Sequence, residues 1–179
     1  MIYTSYYHTP IGRILLAANN DALVGLWFEN QKYFPDALKQ EQIKLGDSPV
    51  LVQAVTWLDR YFAGTQPEIS ELKLAPAGSE FRRAVWAALC RIPYGEVTTY
   101  GEIAGKIAVQ FAKAQMSAQA VGAAVGRNPI SIIIPCHRVV GVNGSLTGYA
   151  GGIDKKIRLL NHEGVNTEKL FVPKKGTAP

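Results

Sequence analysis

The stretch Ile132-Ile133-Ile134-Pro135-Cys136-His137-Arg138-Val139-Val140 joins an apolar run to two side chains that can react. The run Ile130–Ile134 predicts a short buried strand, because strands buried on both faces are typically continuous and β-branched. Pro135 lacks a backbone donor and should end that strand, which leaves Cys136 where the chain leaves the core. A lone cysteine beside an apolar run is usually only a small buried residue. The neighbours of Cys136 therefore decide its role.

Two ionisable residues make Cys136 a candidate nucleophile. His137 follows it directly, and Glu163 stands at the end of a predicted helix that begins at about Asp154. Only a few per cent of a free thiol is thiolate at neutral pH, and a histidine held by a carboxylate is the usual group that withdraws the proton. Glu163 could equally be a helix-end residue ahead of a capping Gly164. The sequence leaves both interpretations open.

Charge is distributed unevenly along the 179 residues, whose formal net charge is +5. Residues 1–75 carry six Lys/Arg against eight Asp/Glu, and residues 76–179 carry thirteen against six, which gives −2 and +7. The basic part suits a polyanion such as DNA, although many basic proteins bind no nucleic acid. The chain has no run of about 18 apolar residues and no signal-peptide pattern at its start, so we expect a globular cytoplasmic protein.

The cysteines and histidines predict neither a metal site nor a cofactor. Cys90 and Cys136 should be free thiols in a reducing compartment. With the three histidines scattered along the chain, a zinc site has almost nothing to be built from. Cys90 shares the inward side of a predicted helix with Val85 and Leu89, so we interpret it as a core residue.

Residues 1–75 predict an α/β scaffolding domain. Three β-prone runs, Ile2–Tyr7, Gly12–Ala18 and Ala22–Phe28, should pair antiparallel, and a loop should follow up to Gly46. After this loop, Ser48 can cap a helix that Gly64 ends, with apolar residues recurring at helical spacing.

Residues 76–170 predict a helical domain, and residues 171–179 a flexible tail. Helices should begin at Ser79, near Thr98 or Thr99, and at about Ser117. Helices joined by a short turn and followed by β structure are the layout of a winged helix-turn-helix.

Two segments of this domain are rich in small residues. The helix from Ser117 to Val125 has almost no side-chain bulk, which suits either close packing on a neighbouring helix or close approach to a DNA groove. The loop Gly141–Gly152 contains a tight turn at Val142-Asn143-Gly144. In its second half Tyr149 stands among small residues, where it could stack on a flat ligand.

Taken together, these motifs resemble a known family. The segment Pro135-Cys136-His137-Arg138-Val139, with Asn128-Pro129 before it and Gly148–Gly152 and His162-Glu163-Gly164 after it, closely resembles the O6-alkylguanine-DNA alkyltransferases. These are also called methylated-DNA–protein-cysteine methyltransferases. The match runs from about Phe81 to Gly164, and the first domain would then be ribonuclease H-like.

The resemblance implies single-turnover DNA repair. Cys136 would take the alkyl group from O6-alkylguanine, with O4-alkylthymine left open as a second substrate, and the thioether would inactivate the protein. His137 would draw the thiol proton through a water toward Glu163. Tyr100 would help to rotate the nucleotide out of the duplex and donate to the departing guanine, and Asn128 would support the thiol.

The resemblance also implies how DNA is bound. A monomer would hold damaged double-stranded DNA through the minor groove and extrude the target nucleotide. The remaining implied contacts line the base pocket (Val139, Tyr149 and Ala150) or bind substrate and DNA (Gln119, Ala120, Arg127 and Arg138).

Two features depart from the family pattern. Gln119 stands where the family commonly has an arginine, the finger that replaces the flipped base, and the segment from Gly105 to Met116 is several residues longer than usual. Two alternatives remain open. One is a cysteine hydrolase using Cys136 and His137, and the other is a protein that recognises alkylated DNA without repairing it.

Overall fold

The computed structural model describes residues 1–32, 38, 43–46 and 48–174. Contacts divide the chain into two compact units: Met1–Ala77 with Pro129–Ile133, and Gly78–Asn128 with the chain from Ile134 onward. The sequence prediction placed a single boundary after residue 75. The assignment of residues 129–133 to the first unit was not predicted.

The sheet of the first unit contains four strands: β1 (Ile2–Thr9), β2 (Gly12–Ala18), β3 (Leu23–Phe28) and β4 (Ile43–Leu45). They lie in the order β3-β2-β1-β4. The predicted antiparallel pairing of the first three strands is confirmed. The loop predicted up to Gly46 is wrong in one part, because β4 lies within it and pairs in parallel with β1. This three-residue strand is exposed throughout, so no apolar alternation marked it.

Helix α1 (Pro49–Phe62) packs against β1 and β2. Its predicted cap is confirmed, since Ser48 Oγ accepts a hydrogen bond from the Leu51 amide. Gly64, with φ of +81°, follows the end of the helix. A short 3-10 turn follows at Ile69–Glu71. The helix buries an apolar side composed of Leu51, Ala54, Trp57, Leu58 and Tyr61.

The strand predicted at Ile130–Ile134 is wrong, although the prediction of burial is right for every residue in it. Only Ile130 forms a bridge, with Leu26 of β3. Leu26 donates to the Pro129 carbonyl at 2.8 Å and accepts from the Ser131 amide at 2.9 Å. Ile132 then has φ of +68°, in the left-handed region, and this turn ends the extended backbone.

The second unit is mainly helical, with α2 (Glu80–Leu89), α3 (Tyr100–Gln110), α4 (Ala118–Gly126) and α5 (Ile153–His162). Strands β5 (Thr98–Thr99) and β6 (Val139–Val140) form a short parallel pair. Three further 3-10 turns lie at Cys136–Arg138, Val142–Gly144 and Thr167–Lys169. The side chains of Ser79, Thr99 and Ser117 cap α2, α3 and α4. Thr99 is one of the two caps that the sequence offered for α3.

Helices α3 and α4 form the helix-turn-helix, and α2 holds it in place. Trp86 of α2 is buried and its indole Nε1 donates to the Ala124 carbonyl of α4 at 2.9 Å. The turn between α3 and α4 starts at Phe111, whose ring meets the ring of Phe81 edge-on at 6.3 Å between centroids. Because α4 buries Val121, Ala124 and Val125 but leaves Gln119 exposed, one side of it packs and the other is open.

Candidate active site

Cys136 occupies the first position of the 3-10 turn that follows Pro135. It is 5% exposed. The amide Nδ2 of Asn128, just beyond the end of α4, donates to Cys136 Sγ at 3.1 Å and to the Ile134 carbonyl at 2.9 Å. One buried amide therefore fixes both the sulfur and the turn that carries it.

His137, the next residue after Cys136, forms a fully buried pair with Glu163. His137 Nε2 lies 2.6 Å from Glu163 Oε1, and both side chains have no exposed area. Glu163 follows α5 directly as its C-cap. The contact that the sequence left open is therefore present, and it joins two segments 26 residues apart.

Arg138 is the second partner of Glu163. Its Nε donates to Glu163 Oε2 at 2.8 Å, its Nη2 to Oε1 at 3.0 Å and its Nη1 to the Ile92 carbonyl at 2.6 Å. From the sequence, Arg138 was expected to bind substrate or DNA. Instead the guanidinium is buried, because the 3-10 turn directs it inward to the carboxylate.

The electrostatics of this cluster favour a neutral thiol and a neutral imidazole at rest. Burial raises the pKa of Cys136, against the hydrogen bond from Asn128. Burial also lowers the pKa of His137, against the attraction of Glu163. Although burial acts to raise it, the pKa of Glu163 lies well below its usual range, because His137 and Arg138 stabilise the carboxylate.

The orientation of the His137 ring follows from its partner. Since Glu163 is a carboxylate, His137 Nε2 carries the hydrogen and donates it. The other nitrogen, Nδ1, is then an acceptor. It is buried and has no hydrogen-bond partner in the described part of the chain. The imidazole can therefore receive a proton at Nδ1 while Glu163 stabilises the resulting charge.

A pocket opens next to the sulfur, between the small residues of α4 and the loop before α5. The Tyr100 hydroxyl donates to the Thr147 carbonyl at 3.3 Å across one side of this pocket. The pocket contains three of the predicted site residues besides Cys136. Its lining residues are Tyr100, Gly122, Val125, Gly126, Cys136, Gly148, Tyr149 and Ala150.

The structure places the other predicted residues around this pocket or away from it. Val139 is buried in β6. Gln119 and Arg127 are exposed on α4 and at its end, and Ala120 is half-buried. Cys90, predicted to be core, is also half-buried, at the end of α2.

Lys156 is a buried cation that the sequence interpretation missed. Its Nζ donates to the carbonyls of Val139 at 2.6 Å, Thr147 at 3.1 Å and Gly148 at 3.4 Å. Burial lowers its pKa to about 8. Its position in the sequence indicates this burial. Lys156 lies three residues after Ile153 and four before Leu160, on the side of α5 where apolar residues recur.

The fold and the site define a DNA-binding protein with a reactive cysteine. Residues 80–165 match the family model described as 6-O-methylguanine DNA methyltransferase, DNA binding domain. Residues 2–76 match the model of its ribonuclease-like domain. The chain therefore belongs to the 6-O-methylguanine DNA methyltransferase family, which confirms the resemblance seen around Cys136 and the predicted fold class.

Individual relatives indicate the same family. A methylated-DNA–protein-cysteine methyltransferase of Haemophilus influenzae is 40% identical over 162 residues, covering 90% of this chain and 86% of the relative. One from Methanosarcina acetivorans is 42% identical over 177 residues, covering 91% and 99%.

Solved structures indicate the same family. The O6-methylguanine methyltransferase of Mycobacterium tuberculosis superposes with a TM-score of 0.77 at 39% identity, covering 98% of this chain and 97% of that one. M. tuberculosis OGT in complex with DNA has a TM-score of 0.76 at 41% identity, covering 90% and 91%. None of the described helices is long and apolar enough to cross a membrane.

Proposed function

We propose that this protein repairs DNA by moving the alkyl group of O6-alkylguanine onto Cys136 in one irreversible step. The observation that carries the proposal is the position of Cys136 Sγ at the pocket, held by Asn128, with the buried His137–Glu163 pair behind it. A thiol in this setting needs only a proton acceptor to become a nucleophile. No cofactor takes part in this reaction.

The chemistry proceeds as a single displacement. The thiol proton passes through a water to His137 Nδ1, and Glu163 stabilises the imidazolium that forms. Sulfur then attacks the alkyl carbon, the bond from that carbon to the guanine 6-oxygen breaks, and its electron pair remains with the base. Tyr100 donates to the departing guanine. The thioether is too stable for water to cleave, so each molecule acts once.

The damaged base must also reach the pocket. Alkylguanine inside a duplex cannot reach a buried sulfur, so the nucleotide is flipped at a cost of a few kcal/mol. The exposed side of α4 enters the minor groove, where its small residues allow close approach and Gln119, Ala120 and Arg127 contact DNA. Tyr149, Ala150 and Val139 surround the base, whereas Arg138 holds Glu163.

The protein acts as a monomer on double-stranded DNA in the cytoplasm, and its first unit has a scaffolding role. O4-alkylthymine, whose alkyl group is bound in the same chemical way, is a second candidate substrate.

Mass spectrometry after incubation with a duplex containing O6-methylguanine tests the proposal. One methyl group on the peptide that contains Cys136, with no further turnover, is the expected result. Repeated turnover without an adduct would indicate a hydrolase. Binding without an adduct would indicate a protein that only recognises the lesion.

Gln119 supplies a specific prediction for base delivery. A Gln119→Ala protein should repair duplex DNA about threefold to tenfold more slowly, because a side chain that fills the gap left by the flipped base is lost. Its reaction with free O6-benzylguanine should be unchanged, since no flipping is needed. The two rates are measured side by side by the same adduct assay, and equal losses would remove Gln119 from base flipping.

The electrostatics predict the pH dependence of the reaction with the free base. The pKa of His137 lies below its ordinary value of 6.5, so the acceptor is neutral throughout the range above that value. The rate should therefore be nearly constant from about pH 6.5 to 7.5 and should fall at lower pH as His137 is protonated. A thiol reacting without His137 would instead gain about tenfold per pH unit, and that slope would contradict the mechanism.

A further inference from the structure

After α5, residues Val165–Val172 turn back toward the pocket loop, and we call this segment the strap. The Val165 amide donates to the Leu160 carbonyl at 3.0 Å. The 3-10 turn Thr167–Lys169 then reverses the chain, with Asn166 Oδ1 accepting from the Glu168 amide at 3.0 Å. One hydrogen bond to α5 and one within the turn therefore order the strap.

The strap pairs with the chain just before the pocket loop. Phe171 accepts from the Leu146 amide at 2.8 Å and donates to the Gly144 carbonyl at 3.1 Å, which makes a parallel bridge opposite Ser145. Gly144 has φ of +86°, and a Cβ there would overlap the Lys169 carbonyl oxygen. Glycine is thus required for the two segments to lie this close.

Apolar packing secures the same contact. Leu146 is 3% exposed and lies in a cluster with Val140, next to the cysteine turn, and Leu160 of α5. The strap contributes Val165 and Leu170 to this cluster, where they are partly buried. Leu146 is therefore held by its backbone and by its side chain.

Only one residue, Thr147, separates Leu146 from the lining of the pocket. The next carbonyl, that of Thr147, accepts from Tyr100 and from Lys156. Gly148, Tyr149 and Ala150 follow and line the pocket. Leu146 is thus the residue, held by the strap, from which this loop starts.

We propose that the strap is a positioning element for the alkyl-transfer reaction, and that it acts through the backbone of Phe171. It fixes the start of the loop from Thr147 to Gly152, so the pocket is formed before the base enters and less ordering accompanies binding. This inference rests on the proposed function of Cys136. The Phe171 side chain is 49% exposed, so its contribution is small.

Two substitutions at Phe171 separate backbone from side chain. Phe171→Pro removes the amide that donates to Gly144, whereas Phe171→Ala keeps it. The residue before, Leu170, has φ of −99° and ψ of 144°, an extended conformation that a following proline accepts. Loss of one backbone hydrogen bond should slow the reaction with free O6-benzylguanine about fivefold. Phe171→Ala should react at the parental rate.

Amide hydrogen exchange, measured together with the free energy of unfolding, distinguishes a positioning role from a purely structural one, which would lower the stability of the whole protein. In Phe171→Pro, exchange should accelerate at Leu146 and along the loop from Thr147 to Gly152, while the free energy of unfolding changes little. Two shortened chains test the same contact without introducing a proline. A chain stopped after Val172 should match the parent. A chain stopped after Leu170 lacks both backbone hydrogen bonds of Phe171 and should show at least the fivefold loss.

Parental rates in both Phe171→Pro and the chain stopped after Leu170 would overturn the inference. An equal loss of rate in Phe171→Ala would overturn it as well, since the side chain would then carry the effect. The parent protein distinguishes this failure from failure of the proposed function. If the parent takes no benzyl group on Cys136, the proposed function is wrong. If the parent reacts and all variants match it, only the strap inference is wrong.

Discussion

A Cys136→Ser protein is expected to take up no alkyl group from DNA or from free O6-benzylguanine. A serine hydroxyl keeps its proton far more strongly than a thiol, and the neutral His137 acceptor cannot remove it at a useful rate. Binding of alkylated duplex should persist, because the helix-turn-helix and the pocket remain. The measurement is the mass of the intact protein after incubation, together with a gel-shift assay.

Cys90 provides the matched control. It is half-buried at the end of α2, and burial raises its pKa to about 11, so it is protonated and unreactive at neutral pH. Cys90→Ser should therefore accept one alkyl group at the parental rate. Alkylation of the Cys136→Ser protein would overturn the assignment of the acceptor.

Glu163→Gln is expected to have the second largest effect, on rate and on stability together. The amide cannot stabilise an imidazolium at His137, so the reaction should slow by about a hundredfold. It also leaves the buried Arg138 guanidinium without its counter-charge, which should cost about 3–5 kcal/mol in the free energy of unfolding. Urea unfolding and the rate with the free base measure the two losses separately.

The pH dependence of that stability loss has a definite sign. The pKa of Glu163 in the folded protein lies well below its unfolded value, so its stabilising contribution is fully present above the unfolded pKa. That contribution declines below the unfolded pKa and is lost as the pH falls through the lower pKa of the folded state. Parent and Glu163→Gln should therefore converge in stability at acid pH. Glu96→Gln, which alters an exposed carboxylate of the same unit, should leave rate and stability unchanged. A Glu163→Gln protein with the parental rate would remove the His137–Glu163 pair from the mechanism.

Local rules recovered most of the fold from the sequence. The cap at Ser48 could be predicted, and the cap of α3 could be narrowed to Thr98 or Thr99, because a side-chain oxygen just before an apolar helical pattern commonly caps the helix. The strand β4 could not, since its three residues are exposed and carry no alternation. The Ile130–Ile134 run was assigned to a strand from its composition, but the left-handed turn at Ile132 depends on packing that composition does not record.

The site was predictable to a similar extent. Its motif residues Cys136, His137 and Glu163 could be named before any coordinates, but only the structure brings the carboxylate to the imidazole. Arg138 was misassigned because a cation in a basic DNA-binding domain suggests phosphate contact, whereas burial depends on the direction of one 3-10 turn. Lys156 was overlooked because a single charge in a helix is usually solvated.

The assignment of residues 129–133 to the first unit has a consequence for how the chain folds during synthesis. Strand β3 binds Pro129 and Ser131 through Leu26, and these residues leave the ribosome long after the rest of that unit has been made. An N-terminal unit that is discontinuous in this way cannot reach its final state while synthesis is still at residue 77. Until these residues emerge, the backbone of β3 around Leu26 lacks its partner and is open to pairing with other chains. The first unit can therefore finish folding only after the residues that lead into Cys136 have been made. The first unit and the turn that carries Cys136 are thus completed together.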